Sequence, residues 1–578
     1  MSLTSVLNIG RSALGASQVG IQIAGNNMAN AATPGYSRQV GTFSPMRGDS
    51  SVQGISIGLG VQVRDVRRQV DNALTGRLWA SAADQSAAQT QYGLMSQIES
   101  VLGELGDNDL SSEMSSFFRA WSETANGNGS SAVVVNQGAK LASFVRSLRS
   151  DLTQQRTLLD QQLAEGVRSA NELLTQVAEL NRAIYDAEGT GATANTLRDQ
   201  RDQALTDLSS LLEVSVVDRG QQGIDVLVGS TPVVMGSRSR GLEVRRESDN
   251  GETVTRVLVS ESQTQLDITT GQIGAVVSGR TGALDETVAA LDEIAAQLIF
   301  QVNKLHSTGR NLSGFSALSG SLTVRTADRT LAMNDPENET FSGLPYSAVS
   351  GGFVVNVRNT ATGAAESVRV NVDLNGLTNA GLPGTGDDTT AEGIRAAIDA
   401  VSGLSASFDA EGKLVIEADE GLEFSFADDT SGALAVLGVN AYFTGTNGTD
   451  IEVRGDLERN PSLLARGRDT ASGFVENGTA LAINGLQTQK ISTLSDRSIT
   501  EAWRDASQLV GNRTATAKSR AEASAVVTES LSAQRAAVSG VSLDEEAVNL
   551  INYQRQYQGA ARLISIADEL TQTLLNLV

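Results

Sequence analysis

The 578-residue chain contains no cysteine, which excludes thiol catalysis, disulfide bonds and Cys-based zinc sites. It contains a single histidine, His306, so a Ser-His-Asp triad or an imidazole metal cluster would have to rest on one ring. Aromatic residues make up only 4%, too few for a dense aromatic ligand pocket. Positive charge is short as well: 44 Lys and Arg face 67 Asp and Glu, a formal net charge of −23. Phosphate backbones and anionic bilayers both require clustered basic side chains, so neither nucleic acid nor membrane is expected as a partner. No run approaches the ~20 apolar residues of a membrane-spanning helix. Residues 1–10 lack the basic leader and apolar core of a cleaved secretory signal. On these absences the chain reads as cytosolic, unless it leaves the cell by a route that cleaves no leader.

What is present is helix and glycine. Hydrophobic residues reach 40% and Gly 57 copies, a pairing that suits long Ala/Leu helices joined to turn-rich β domains. The first thirty residues carry Leu3, Leu7, Gly10, Leu14, Ser17, Ile21, Ala24, Met28 and Ala31 at alternating spacings of three and four. That series predicts a helix with one narrow apolar stripe. Asn26, Asn27 and Asn30 are read as fraying its end, and Thr33-Pro34-Gly35 as stopping it, because Pro restricts the preceding residue and Gly accepts a positive φ. The last thirty-six residues repeat the design with Leu543, Ala547, Leu550, Tyr553, Tyr557, Ala560, Ile564, Ala567, Leu570, Leu574 and Leu577. Ser542 and Glu545 read as a capping box at its start.

Between the ends, residues 70–104, 110–125, 131–188 and 195–212 read as helices, broken by Asn126-Gly-Asn-Gly129 and Gly189–Gly191. Residues 213–280 switch to the alternation of short strands. A helix follows over about 281–306. Residues 315–455 read as a β-rich insertion with one helix near 391–402, and the chain is helical again from about 495 to 536. The expected fold is mainly α with β-rich inserted domains, nested out and back, with the two terminal helices paired as a coiled-coil-like assembly domain. Its expected parts are 1–50 with 540–578 as that assembly domain, 51–314 with 456–539 as a helical core whose β-rich part is about 213–280, and 315–455 as an outer β-rich domain. A narrow stripe buried against a single partner returns less than the ordering of thirty residues costs. The tips are therefore expected to gain their order by bundling with each other and with other copies.

Specific strings sharpen the reading. Asn30-Ala-Ala-Thr-Pro-Gly-Tyr-Ser-Arg-Gln39, with Thr33, Pro34, Gly35, Tyr36, Ser37 and Arg38 at its centre, resembles the signature of flagellar axial proteins (rod, hook and hook-associated). Its Tyr-Ser-Arg-Gln continuation is most similar to the hook-associated protein 1 family. Ile57-Gly-Leu-Gly-Val61, Val66-Arg-Arg-Gln-Val-Asp71 with Leu74, and Leu110 through Trp121 resemble successive stretches of that family. So do Leu197 through Gln203, Gly271-Gln-Ile-Gly274, and Asn303-Lys-Leu-His306 with Gly309. At the far end, Ser542 through Tyr557 resembles the C-terminal signature of hook-type proteins.

The resemblance implies a structural subunit, not an enzyme, with no cofactor and no metal. It implies export without a cleaved signal through the flagellar type III apparatus, and an extracellular place at the junction of hook and filament. The implied partners are further copies of the chain, the hook protein FlgE, the hook-associated protein FlgL and the export chaperone FlgN. The assembly residues it marks are Leu3, Leu7, Leu14, Ile21, Ala24 and Met28 at one end. At the other they are Leu543, Ala547, Leu550, Tyr553, Tyr557, Ile564, Leu570 and Leu574, where FlgN would also bind. The alternatives are a hook or rod subunit, or a secreted adhesin or enzyme carried on 315–455. Asp387-Asp388 and Asp428-Asp429 are read as solvated loop acids rather than calcium ligands, and Gly54 through Gly60 as a turn. Arg47-Gly-Asp-Ser50 and Arg454-Gly-Asp456 are read as chance tripeptides.

Overall fold

The structure is a computed structural model that describes residues 3–46, 58–103, 109–189, 191, 193–249, 252–470 and 472–576. In chain order it runs α1 (Leu3–Ala29), β1 (Gln39–Pro45), β2 (Val61–Arg68), α2 (Asn72–Leu102), α3 (Leu110–Ala125), α4 (Ser131–Glu188) and α5 (Asn195–Leu211). Six strands follow, β3 (Val214–Asp218), β4 (Ile224–Val228), β5 (Thr231–Met235), β6 (Arg238–Ser239), β7 (Leu242–Asp249) and β8 (Glu252–Val259). Then come α6 (Gly271–Gly279), α7 (Asp285–Ser307), β9 (Gly309–Arg310), β10 (Ala317–Ser319), α8 (Glu339–Ser342), β11 (Gly351–Asn359), β12 (Ala365–Val372) and α9 (Ala391–Asp399). The remainder is β13 (Leu404–Phe408), β14 (Leu414–Ala418), β15 (Leu422–Ala427), α10 (Ala433–Val436), β16 (Phe443–Thr444), β17 (Glu452–Val453), α11 (Gly455–Arg459), β18 (Gly467–Thr470), β19 (Gly473–Val475), α12 (Gly478–Gly485), α13 (Ile499–Ser539) and α14 (Leu543–Leu575).

The chain divides into two compact units. One comprises residues 1–94, 159–281 and 515–578; the other comprises 95–158 and 282–514. In the first, α1 packs along α14 and against the β1–β2 hairpin. The later part of α4, with α5, supports the antiparallel sheet β3-β4-β5-β6 and the β7–β8 hairpin. Leu74, Leu78 and Leu531 form a small apolar cluster where α2 meets the last part of α13. Trp79 donates its indole N–H to Thr206 Oγ1 at 3.0 Å, and Ser81 and Thr528 share a 2.8 Å hydroxyl bond.

The second unit is built on α3. Asp109 caps it by accepting the Ser112 amide at 2.6 Å. Leu110, Met114, Phe117, Phe118 and Trp121 then bury one face of the helix, the spacing of three and four that a one-sided helix requires. Residues 315–455 hold a separate apolar core between two three-stranded sheets, β12-β11-β15 and β10-β14-β13, with α9 laid across it.

Two expectations need correction. Residues 271–279 form a helix, α6, rather than strand: Gly271, at φ +75°, turns the chain beside the Leu211 carbonyl, and a short apolar run carries no periodicity to separate helix from strand. The acidic pairs are not simply solvated. Asp388 is buried and accepts from Asn334 Nδ2 at 2.7 Å and from the Gly376 amide at 3.0 Å. Asp429 accepts four hydrogen bonds from Ser431, Gly432 and Leu434, and burial pushes its carboxyl pKa up. Each holds a turn closed. Arg47 through Ser50 and residues 54–57 lie outside the described residues. Arg454 turns its guanidinium onto Asp456, Nε to Oδ1 2.6 Å, so that tripeptide closes on itself.

Candidate assembly site

The strings at residues 30–39, 57–74, 197–203 and 542–557 belong to the first unit, whereas Leu110–Trp121 and Asn303–His306 with Gly309 belong to the second. Asn27 sits on the buried side of α1 and Glu546 in the first turn of α14, exposed by only 1% and 2%. Asn27 Nδ2 donates to Glu546 Oε2 at 3.1 Å and to the Gln39 carbonyl at 2.9 Å, while its Oδ1 accepts the Gln39 amide at 2.9 Å. Arg38 donates to Glu546 Oε1 from Nε at 2.9 Å and from Nη2 at 2.7 Å, and to Glu545 from Nη1 at 2.9 Å. Tyr36 donates its hydroxyl to Asn27 Oδ1 at 2.8 Å. Burial, then the Asp199 and Glu546 carboxylates, push the Tyr36 phenol up to about 12, so it keeps its proton and remains a donor. The Arg38 amide donates to the Ser539 carbonyl at 2.9 Å, which ties the same turn to the end of α13.

Two more of the strings, Val66–Asp71 and Leu197–Gln203, lock this clamp from behind. Arg68 donates to Asp199 at 2.9 Å and Asp202 at 2.7 Å, both from the Leu197–Gln203 segment. Asn195 Nδ2 holds the Val66 carbonyl at 2.7 Å. Gly35 has φ +77°, and a Cβ there would lie 2.8 Å from Gln203 Oε1, so this turn needs glycine both for its backbone and for its neighbour. Ser37 is buried, whereas Thr33 and Pro34 are exposed at the apex.

Along the helix pair, the closest approach is made by small residues rather than by leucines. A Cβ on Gly10 would fall 2.6 Å from Ile564 Cγ1, and one on Gly20 would fall 2.6–2.7 Å from three ring atoms of Tyr553. Tyr553 also meets Phe43 of β1, ring centroids 6.1 Å apart. Gly10, Ala16, Ser17, Gly20, Ala24 and Asn27 are the buried residues of α1. Leu3, Leu7, Leu14, Ile21 and Met28 are half-buried along its flanks. On α14, Ala560 and Ala567 are buried, and Ala547, Leu550, Tyr553 and Ile564 half-buried, with Tyr553, Ala560 and Ile564 set against the glycines of α1. Leu543, Tyr557 and Leu570 are exposed, and the side chain of Leu574, like Leu577, lies outside the described residues. Asn26, Asn27 and Asn30 do not fray the helix: Asn27 is the centre of the clamp, and Asn30 Nδ2 caps onto the Asn26 carbonyl at 2.9 Å. Only half of the Ser542 box forms. The Glu545 amide reaches Ser542 Oγ at 3.5 Å, while the Glu545 carboxylate is drawn to Arg38.

The opposite side of α14 has no such cover. Val548, Ile551, Ile566 and Leu570 are all about half exposed. At about 100° per residue Val548, Ile551 and Ile566 fall on the face turned away from Tyr553, Ala560, Ile564 and Ala567, with Leu570 at its edge. α14 thus has one face filled by α1 and an outer side that exposes two apolar patches, Val548 with Ile551 and Ile566 with Leu570, separated by Arg555 and Arg562.

His306 takes no part in this. It is fully buried in the second unit, where Nδ1 is 2.7 Å from the Asn440 carbonyl and Nε2 accepts the Ala465 amide at 3.3 Å. Burial drives its pKa down to about 3, so the ring is neutral and holds two loops together. Among the described residues no group of three or more His, Asp or Glu could hold a metal ion, and no helix is long and apolar enough to cross a membrane.

The site is a clamp of buried polar groups that joins both chain ends, with exposed apolar side chains beside it, an arrangement of the kind found in structural subunits. The known proteins that the chain is similar to are axial proteins of the bacterial flagellum. Residues 95–319 match the flagellar hook-associated protein FlgK helical domain, and residues 532–577 match the flagellar basal body rod FlgEFG protein C-terminal family. The chain is 26% identical to flagellar hook-associated protein 1 of Salmonella typhimurium over 604 aligned positions, covering 100% of both chains. It is 26% identical to that of Escherichia coli, again over 100% of both, and 24% identical to that of Bacillus subtilis over 99% of this chain and 97% of the other. Among solved structures it is similar to the flagellar hook junction protein FlgK from Burkholderia pseudomallei, with a TM-score of 0.48 and 15% identity, covering 80% of this chain and 100% of that one. Over its full length the chain is similar to flagellar hook-associated protein 1, and residues 95–319 match that protein's helical domain.

Proposed function

We propose that the chain, a structural subunit of the junction between hook and filament, assembles by completing on neighbouring copies the burial that α1 and α14 begin within one chain. The paired ends, coiled-coil-like, form the inner tube. Residues 51–314 with 456–539 supply lateral contacts, and 315–455 face outward. One side of the junction meets the hook protein FlgE and the other the hook-associated protein FlgL. The chain reaches this extracellular place unfolded, through the type III apparatus, with the chaperone FlgN covering about 540–578 beforehand.

The observation that carries this reading is the open face of α14, Val548, Ile551, Ile566 and Leu570, directly behind the face that α1 fills. A helix that exposes large apolar side chains at both ends of a ~33 Å stretch, Val548 and Ile551 at one end and Ile566 and Leu570 at the other with Arg555 and Arg562 between them, invites association or aggregation unless something covers them. The test is electron microscopy of cells that lack the gene and are complemented with variants. Bare hooks and flagellin in the medium are expected without the gene. The wild-type chain should restore filaments, and the double variant V548D/I551D should not, although it folds and is exported. Normal filaments without the gene, or full rescue by the double variant, would overturn the reading.

A further inference from the structure

A cavity of about 620 Å³ in the first unit lies away from the terminal helices, lined by α4, α5, the connection between them (Gly189, Gly191 and Thr193) and the β3–β4 connection. Arg201 of α5 lines it and is only 7% exposed. Among the described residues its one hydrogen bond runs from Nη1 to the neutral Asn181 Oδ1 at 3.1 Å, and its Nε is buried with no partner among them. The acids nearby are engaged elsewhere. Glu188 takes Arg198 in a fork with both bonds at 2.8 Å, Asp199 and Asp202 hold Arg68, and Asp218 accepts the Gly220 amide at 2.8 Å. A buried guanidinium without a carboxylate is costly and is ordinarily paired. Asn181 cannot swing away to relieve it, because its Nδ2 is fixed by the Ile224 carbonyl at 2.9 Å and the Gly236 carbonyl at 2.6 Å.

We propose that this cavity is an anion site in which Arg201 receives a carboxylate. The planar fork of arginine fits a carboxylate bidentately. A phosphate dianion would meet the Glu188 and Asp218 charges that share the cavity, so a monoanion is the better occupant. Tyr185, exposed at the rim, flanks the entrance with an aromatic surface. The carboxylate comes either from an acidic side chain of a neighbouring copy or from a small free acid.

Arginine Nε–H resonances of the full-length chain, titrated with acetate against chloride at matched ionic strength, test the proposal. The Arg201 signal should move saturably, with half-saturation below about 100 mM. Y185E, which places a competing carboxylate at the rim without touching the core, should weaken the response at least about tenfold, and R201Q should abolish acetate protection in thermal unfolding. In assembled material, an Arg201 signal that no longer responds to acetate identifies a neighbouring copy as the source, whereas a retained response identifies a free acid. A linear, unsaturated shift in the wild type, or an unchanged response in Y185E, would overturn the assignment; both hold even if R201Q fails to fold.

Discussion

Gly20 offers the sharpest quantitative test of how the two chain ends meet. A Cβ at this position would stand 2.6–2.7 Å from three ring atoms of Tyr553, whereas non-bonded carbons rest at about 3.5–4.0 Å. The ring, or the helix carrying it, must therefore retreat by roughly 1 Å, and forced overpacking of this kind costs about 1–3 kcal/mol. Replacing glycine by alanine inside a helix returns about 1 kcal/mol of propensity, so G20A should come out neutral to about 2 kcal/mol destabilising. The same helix supplies its own controls. At Gly15 and Gly25 an added methyl would meet no neighbouring atom within 4 Å, so G15A and G25A should stabilise by up to about 1 kcal/mol. In a Y553A background the penalty of G20A should vanish, a coupling of about 1–3 kcal/mol. The assay is hydrogen exchange over residues 3–29 and 543–575, with chemical unfolding monitored alongside. If G20A behaves like G15A and G25A, the close approach of α1 to Tyr553 is refuted.

Three other perturbations follow from the same structure. E546A removes the acceptor that Arg38 and Asn27 share; with Arg38 mostly buried, the first turn of α14 should lose about 2–4 kcal/mol of local stability, read as faster exchange over 543–550, and a slowed or unchanged rate would contradict the clamp. The neutral His306 binds a proton when unfolded, near pH 6.5, but resists it when folded until about pH 3. Stability of the second unit is therefore complete above pH 6.5 and falls by about 1.4 kcal/mol per pH unit as pH drops toward 3; urea unfolding at pH 7 and pH 5 should differ by about 2 kcal/mol in the wild type and by far less in H306Q. R68Q leaves Asp199 and Asp202 facing each other beside β2 and should loosen the β1–β2 hairpin by about 2–4 kcal/mol, detected by proteolysis between residues 46 and 58.

Much of this architecture is legible in residue order. Asn126-Gly-Asn-Gly129 and the Gly189–Gly191 break delimit α3, α4 and α5 because glycine and asparagine end helices for local reasons. Three-and-four spacing marks the type and extent of α1 and α14. The β1–β2 hairpin is not visible in the same way, because its strands are separated by residues 46–60 and pair through long-range contacts that no local pattern records. The seam between the chain ends is where periodicity misleads. Periodicity counts side chains, so Leu3, Leu7 and Leu14 stand out, whereas the tightest contacts rest on Gly10 and Gly20, where a side chain is missing. Asn27 looks like a helix breaker because a polar residue on an apolar stripe reads as an interruption; its place seven residues after Gly20 and three after Ala24 is the available signal. Glu546 stays hidden within an acidic first turn that the helix dipole alone would explain.

The central claim is that the second face of α14 is open in the single chain and becomes covered on assembly. Since the chain has no cysteine, V548C can carry a nitroxide as its sole label. Its spectrum should show a mobile side chain in the isolated subunit and strong immobilisation in assembled junctions. Equal mobility in both states would contradict the account.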